Sequence, residues 1–294
     1  MNSQTPVKLK VSPSENGITL IQFLADRLGV SRNKAKEIID RRRVFINGKR
    51  TWMARHCLKP GDQIAGAFTA GKSAEIKRAI VLYEDDDYLI VNKPSGLPSN
   101  GPDSIEQFLN RQSGNESTAA CHASRVACHR LDKDTSGCLI FAKRQKAKER
   151  IIPLFIKKEI IKEYEAIIRG CLPKAIMTIT APIDGQKAVS RVRLLDATPA
   201  ASPAGSGASH VSISIETGRT HQIRKHLASI GHPVLGDQHY GVGREVPQSE
   251  RLIGRQMLHA VGIKFIQPFT GKPVHCESPL PADMKECLRQ YHLK

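Results

Sequence analysis

The chain has 294 residues, enough for one large domain or two ordinary ones, each with a core of its own. Hydrophobic residues make up 40%, which excludes wholesale disorder, while aromatic residues are only 5%, so any stacking on bases must rest on a few rings. The formal net charge of +17, from 45 Lys and Arg against 28 Asp and Glu, implies a polyanionic partner, and nucleic acid precedes membrane because no amphipathic anchor is evident.

Residues 1–16 are polar and are expected to be loose. From residue 17 the pattern turns helical: Thr19 caps, Leu20, Leu24 and Leu28 recur at helical spacing, and Gly29 stops the run. Ser31 caps a second helix with Ala35, Ile38 and Ile39 on its apolar side and Arg32, Lys34 and Lys36 on the other, continuing into Arg41, Arg42 and Arg43. Val44 to Ile46 reads as a strand, Asn47-Gly48 as a hairpin turn, and 58–64 as a turn entering another strand. Such a helix-helix-hairpin unit over 17–75, with one basic edge, suits RNA phosphates. Its features SRNKAKEIID, VFINGK and LKPGDQI resemble the RNA-binding domain first known from ribosomal small-subunit protein four.

Residues 66–79 read as a linker, and 76–294 as a second domain. It opens with strands at 79–83 and 88–92 around the acidic turn Glu84 to Asp87, followed by a stiff turn, Lys93 to Pro98, whose two prolines cannot donate ladder bonds. A short helix is expected at 105–109, then a polar cluster, His129 to Gly137, at the mouth of the apolar strand 138–142. Residues 145–158 read as a basic helix, and 159–170 alternates as a strand with Lys162 and Tyr164 on one face. Strands continue over 178–195, residues 196–209 read as a flexible loop, and strict alternation resumes at Val211 to Ile215. A second polar cluster, Glu216 to Leu227, follows; Ile223, Leu227 and Ile230 mark the buried side of its helix, so His221 and Arg224 should share the opposite face. Strands outnumber helices, and the expected class is α+β: a central mixed, mostly antiparallel sheet flanked by helices.

The seven cysteines form no C-x-x-C pair, so neither a zinc site nor a disulfide framework is expected. The chain lacks a signal-peptide core and any run of apolar residues long enough to span a bilayer, which points to the cytoplasm.

HRLDKDTSG, KEYEAIIRG, ETGRTHQIRKHLASIGHPVLGDQHYG and MLHA, preceded by NKPSGLP, resemble the motifs of the RluA-type pseudouridine synthases, over about residues 80–290 and in that family's order. The N-terminal unit matches the branch that carries the ribosomal-type RNA-binding domain. The resemblance implies that a uridine is flipped out of its RNA, its glycosidic bond broken and its uracil rejoined through C5, with no cofactor and no metal. It makes Asp132 the catalytic carboxylate, Arg224 its partner, Tyr164 the ring against the base, and Arg130 the residue that props the strand or holds its backbone. An acid in a site dry enough to retain uracil needs a guanidinium beside it to stay ionised. The expected partner is ribosomal RNA, large-subunit first, with transfer RNA as the alternative and a monomer as the working form. A non-catalytic ribosome-assembly clamp has no use for an ionised acid facing RNA. A metal-dependent nuclease would need grouped carboxylates, and only Asp85 to Asp87 qualify. Ser99-Asn100 departs from the family, where a Val-His step is usual, and puts substrate contacts there in doubt.

Overall fold

A computed structural model of the protein describes residues 7–28, 32–40, 44–51, 53–66, 79–112, 124–198, 207–241, 250 and 253–294. The chain divides into two units, Met1–Glu75 and Ile76–Lys294.

In the first unit, helices α1 (Leu20–Leu28) and α2 (Arg32–Asp40) bury Leu20, Phe23, Leu24, Ala35, Ile38 and Ile39 in one core. A four-stranded antiparallel sheet completes it, formed by β1 (Val7–Lys10), β2 (Val44–Ile46), β3 (Lys49–Thr51) and β4 (Gln63–Gly66) in the order β1-β4-β2-β3. Asn47 and Gly48 both take positive φ, as a tight hairpin between β2 and β3 requires. Residues 7–10 are thus not loose: pairing with β4 satisfies their backbone, and Val11 enters the core. Most of the expected linker, residues 67–78, lies outside the described residues.

The second unit is built on a ten-stranded mixed sheet. Its strands are β5 (Ile80–Glu84), β6 (Tyr88–Lys93), β7 (Val126–Ala127), β8 (Ser136–Ala142), β9 (Ile161–Arg169), β10 (Ile176–Ile179), β11 (Ser190–Thr198), β12 (Ala208–Ile215), β13 (Leu258–Ile266) and β14 (Pro273–Glu277). Their order is β10-β11-β12-β9-β13-β8-β6-β5, with β7 on β8 and β14 on β13. Among the described residues the one parallel pair is β8 with β13; the rest are antiparallel.

The two-residue period of the central strands sorts their side chains into two cores. Leu89, Val91, Leu139 and Phe141 face the core that also takes α3 (Ile105–Gln112), α5 (Gln222–Ser229) and α6 (Ala282–Gln290). Tyr88, Ile90, Cys138 and Ile140 face the other, closed by α4 (Gln145–Ile156) and β14.

Two expectations need correction. The segment 196–209 is not all loop: β11 runs to Thr198 and β12 starts at Ala208, and these two residues pair. Small and polar residues sit in the sheet there because Ser209 Oγ donates to Gly170 O at 2.8 Å and the hydroxyl of Thr198 to Tyr291 O at 2.6 Å. The helix α6 has no counterpart in the sequence expectations.

Candidate active site

Asp132 stands in the turn that enters β8, and the backbone on either side of it is clamped. The buried hydroxyl of Ser99 donates to Leu131 O and accepts from Leu131 N, both at 2.9 Å. The residue whose departure from the family put substrate contacts in doubt therefore braces the loop. Lys93, fully buried at the end of β6, donates to the carbonyls of Pro94, Leu97 and Lys133 at 2.9, 2.7 and 2.9 Å. Burial pushes its ammonium down to about 7, yet three carbonyl acceptors match the charged form, which alone has three N–H donors. From the other side Arg255 donates to Asp134 O at 3.0 Å while its guanidinium holds Asp283 of α6 at 2.6 and 2.9 Å.

Asp132 Oδ2 accepts from Arg224 Nη1 at 3.0 Å. The other edge of the same guanidinium grips Asp237, Nε to Oδ2 at 2.6 Å and Nη2 to Oδ1 at 2.9 Å. Burial pushes the Asp237 carboxyl up, but Arg224 and the backbone N–H groups of Tyr240 and His239 outweigh it and hold it below the ordinary carboxylate value. Burial likewise opposes the charge on Arg224, and the two carboxylates more than restore it. The two salt bridges and the bidentate geometry fix the plane of the guanidinium and, through it, the Asp132 carboxylate.

Asp132 and Arg224 line a cleft of about 330 Å³ that also takes Arg130, Lys162, Tyr164 and His221. Tyr164 comes from the buried middle of β9; burial, with the Asp132 charge adding, pushes its phenol well up, so it stays protonated. Arg130 is exposed at the cleft. His221 precedes α5 with φ +56, a left-handed conformation uncommon outside glycine, and is pinned there by its Nδ1 against the Tyr240 hydroxyl at 3.0 Å. Its Nε2 lies 3.9 Å from Asp132 Oδ1. Burial, joined by Arg224 and His239 and opposed by Asp132 and Asp237, pushes its imidazole below the ordinary value.

The structure thus brings Asp132, Tyr164, Arg224 and Arg130 to one cleft. It corrects one detail: Arg224 lines the cleft with His221, but it does not point away from the core. It is 3% exposed, and two carboxylates make that burial tolerable. Of the other expected cations, Arg32 and Lys36 are exposed on α2 of the first unit, where Arg32 Nε donates to Gln22 Oε1 at 2.6 Å. The side chain of Lys34, and Arg41, Arg42 and Arg43 entirely, lie outside the described residues. Sequence reasoning missed Asp237, Lys93, Ser99 and Arg255. A half-buried histidine, His129, accepts from Ile140 N at 3.2 Å, and desolvation pushes it down to about 3. The acidic turn is internally satisfied: Asp85 accepts from the Tyr83 hydroxyl and the N–H groups of Asp87 and Tyr88, and Asp87 is paired with Arg144. Among the described residues no group of three or more His, Cys, Asp or Glu could hold a metal ion.

Residues 87–229, which include every member of this cleft from Arg130 to Arg224, match the family model described as RNA pseudouridylate synthase. A Bacillus subtilis RNA pseudouridine synthase, YhcT, is 31% identical over 97% of this chain and 97% of its own length. The chain belongs to the RNA pseudouridine synthase family. Ribosomal large subunit pseudouridine synthase D of Escherichia coli K12 is 33% identical, over 96% of this chain and 94% of its own. Among solved structures, human RNA pseudouridylate synthase domain containing 4 superposes with a TM-score of 0.60 at 22% identity, covering 73% of this chain and 94% of its own. Human domain containing 1 gives 0.56 at 24%, covering 74% and 96%. The pseudouridine synthases are isomerases, and this chain is an isomerase of that family acting on RNA.

Proposed function

We propose that the protein converts specific uridines of large-subunit ribosomal RNA to pseudouridine, with Asp132 as the catalytic carboxylate. The supporting observation is the Asp132–Arg224 pair at 3.0 Å in a cleft walled by Tyr164. A uridine flipped from its stack presents its base to Tyr164, as flipped bases require an aromatic or apolar face. The N1–C1′ bond breaks, the uracil turns, and C5 bonds to C1′; the C5 hydrogen leaves as a proton and N1 gains one. Atoms and electrons balance without an external reactant. Asp132 serves either as the nucleophile at the sugar or as the group that carries the protons, and Arg224 keeps it anionic in both roles. A phenol held protonated, Tyr164 is a packing face and proton donor rather than an anionic base. Arg130, exposed at the cleft, takes the place vacated by the base or holds the RNA backbone.

The first unit acts as the ribosomal-type RNA-binding domain, with Arg32, Lys34, Lys36, Arg41, Arg42 and Arg43 as its phosphate contacts. The observation behind this reading is the paired helices with an exposed basic edge beside a short hairpin sheet. The large-subunit substrate follows the name of the Escherichia coli relative, ribosomal large subunit pseudouridine synthase D. The reading is of a cytoplasmic protein, with a monomer as its working form. Pseudouridine mapping of ribosomal and transfer RNA from cells with and without the gene tests the assignment. Loss of one or a few large-subunit sites is expected; loss confined to transfer RNA would transfer the substrate, and an unchanged map would refute it.

A further inference from the structure

Lys162 lies two residues before Tyr164 on β9 and lines the same cleft. The residue is half-buried, and desolvation of its ammonium lowers its pKa. No described carboxylate answers it. The neighbouring acids are engaged elsewhere: Glu163 with Lys264 at 3.0 Å, Glu216 with Arg191 at 2.7 Å and Lys158 at 3.3 Å. Two neutral groups stand beside the ammonium. The Phe155 ring centroid is 5.8 Å from Nζ, and a Cβ on Gly218 would stand 3.5 Å from it. His129, which feels the Lys162 charge, is held unprotonated by its own burial.

An unpaired cation in a cleft wall costs free energy until an anion arrives. Two residues of strand separate Lys162 from Tyr164 by about 7 Å along one face, roughly the reach from a base to the phosphate of its own nucleotide. With the base at Tyr164 and the sugar at Asp132, the phosphate falls on the Lys162 side. We infer that Lys162 is the subsite for a phosphodiester oxygen of the flipped nucleotide, an inference that rests on reading the cleft as a uridine site. The small side of Gly218 keeps the approach to Nζ open.

The test uses the full-length protein, a large-subunit ribosomal RNA transcript, and the variants Lys162→Met and Lys162→Arg. Methionine preserves the apolar stem, so the strand keeps its packing. The Met variant should bind and turn over with affinity and kcat/KM reduced about tenfold at low salt, the loss of one charge-assisted contact, and kcat little changed. The slope of log affinity against log salt should shrink by about 0.7 to 0.9, one phosphate contact, and arginine should restore it. A short RNA substrate with single neutral methylphosphonates around the target should weaken wild type at one position and leave Lys162→Met indifferent there. An unchanged salt slope, or a kcat loss equal at every salt concentration, would overturn the inference and point to the base instead. So would a methylphosphonate effect of equal size in wild type and Met variant. If wild type binds RNA with this slope but forms no pseudouridine, the uridine reading fails and the phosphate subsite stands.

Discussion

Arg224 is shared by two carboxylates that play different parts. Asp237, wholly buried at its side chain, takes the Nε–Nη2 edge, and Asp132, partly open to the cleft, takes Nη1. Asp237 therefore acts through Arg224 as a positioning residue for the acid. Breaking one side of a buried pair costs about 3–5 kcal/mol, and asparagine retains one of the acceptors, so Asp237→Asn should lower the unfolding free energy by about 3 kcal/mol. A guanidinium tilted by a fraction of an ångström should lower kcat by roughly ten- to a hundredfold with KM nearly unchanged. Urea unfolding and steady-state turnover measure both; a stable variant with full kcat would show that the guanidinium plane is irrelevant. Asp132, Tyr164 and Arg224 were legible in the sequence because each sits in a long contiguous motif. Asp237, Ser99 and Lys93 were not, because their roles depend on partners 13, 32 and 40 residues away. Nothing local marks a serine whose hydroxyl spans both backbone groups of a distant leucine.

The elements that carry the acid meet at the one parallel pairing among the described residues of the sheet, where Ser136 and Gly137 of β8 lie beside His259 and Ala260 of β13. Gly137 has φ +113, and a Cβ there would lie 2.2 Å from Ala260 O. Both the backbone conformation and the close approach exclude any side chain. Gly137→Ala should destabilise the protein by about 4 kcal/mol, strain plus overpacking, and shift the loop bearing Asp132. Thermal and urea unfolding check this; a loss under 1 kcal/mol would show that the strands separate easily. The strands 161–169 and 208–215 were mostly readable from period two, 136–142 from its apolar run, 88–93 as the return strand across the acidic turn, and α5 from its apolar spacing and terminal glycine. The ends of β11 and β12 were hidden because their small polar residues are held by bonds to Gly170 and Tyr291, not by their own propensity. β1 is four residues long and gains its place from β4 alone.

At the scale of the molecule, the charge of +17 and the chemistry of the cleft describe two separable tasks, holding RNA and isomerising one base. On the function proposed above, the basic first unit supplies affinity that salt weakens, while a single carboxylate supplies the bond rearrangement. The total charge and the class of partner were plain from composition; the division of labour follows from the fold, which puts the acid and its braces wholly within Ile76–Lys294. The most direct measurement is tritium release from ribosomal RNA carrying 5-tritiated uridine, because forming the C5–C1′ bond expels the hydrogen at C5. Full-length Asp132→Ala should release none above background while binding the RNA within about twofold of wild type, since an acid contributes little to phosphate contacts. Release by that variant at a rate near wild type would contradict the account.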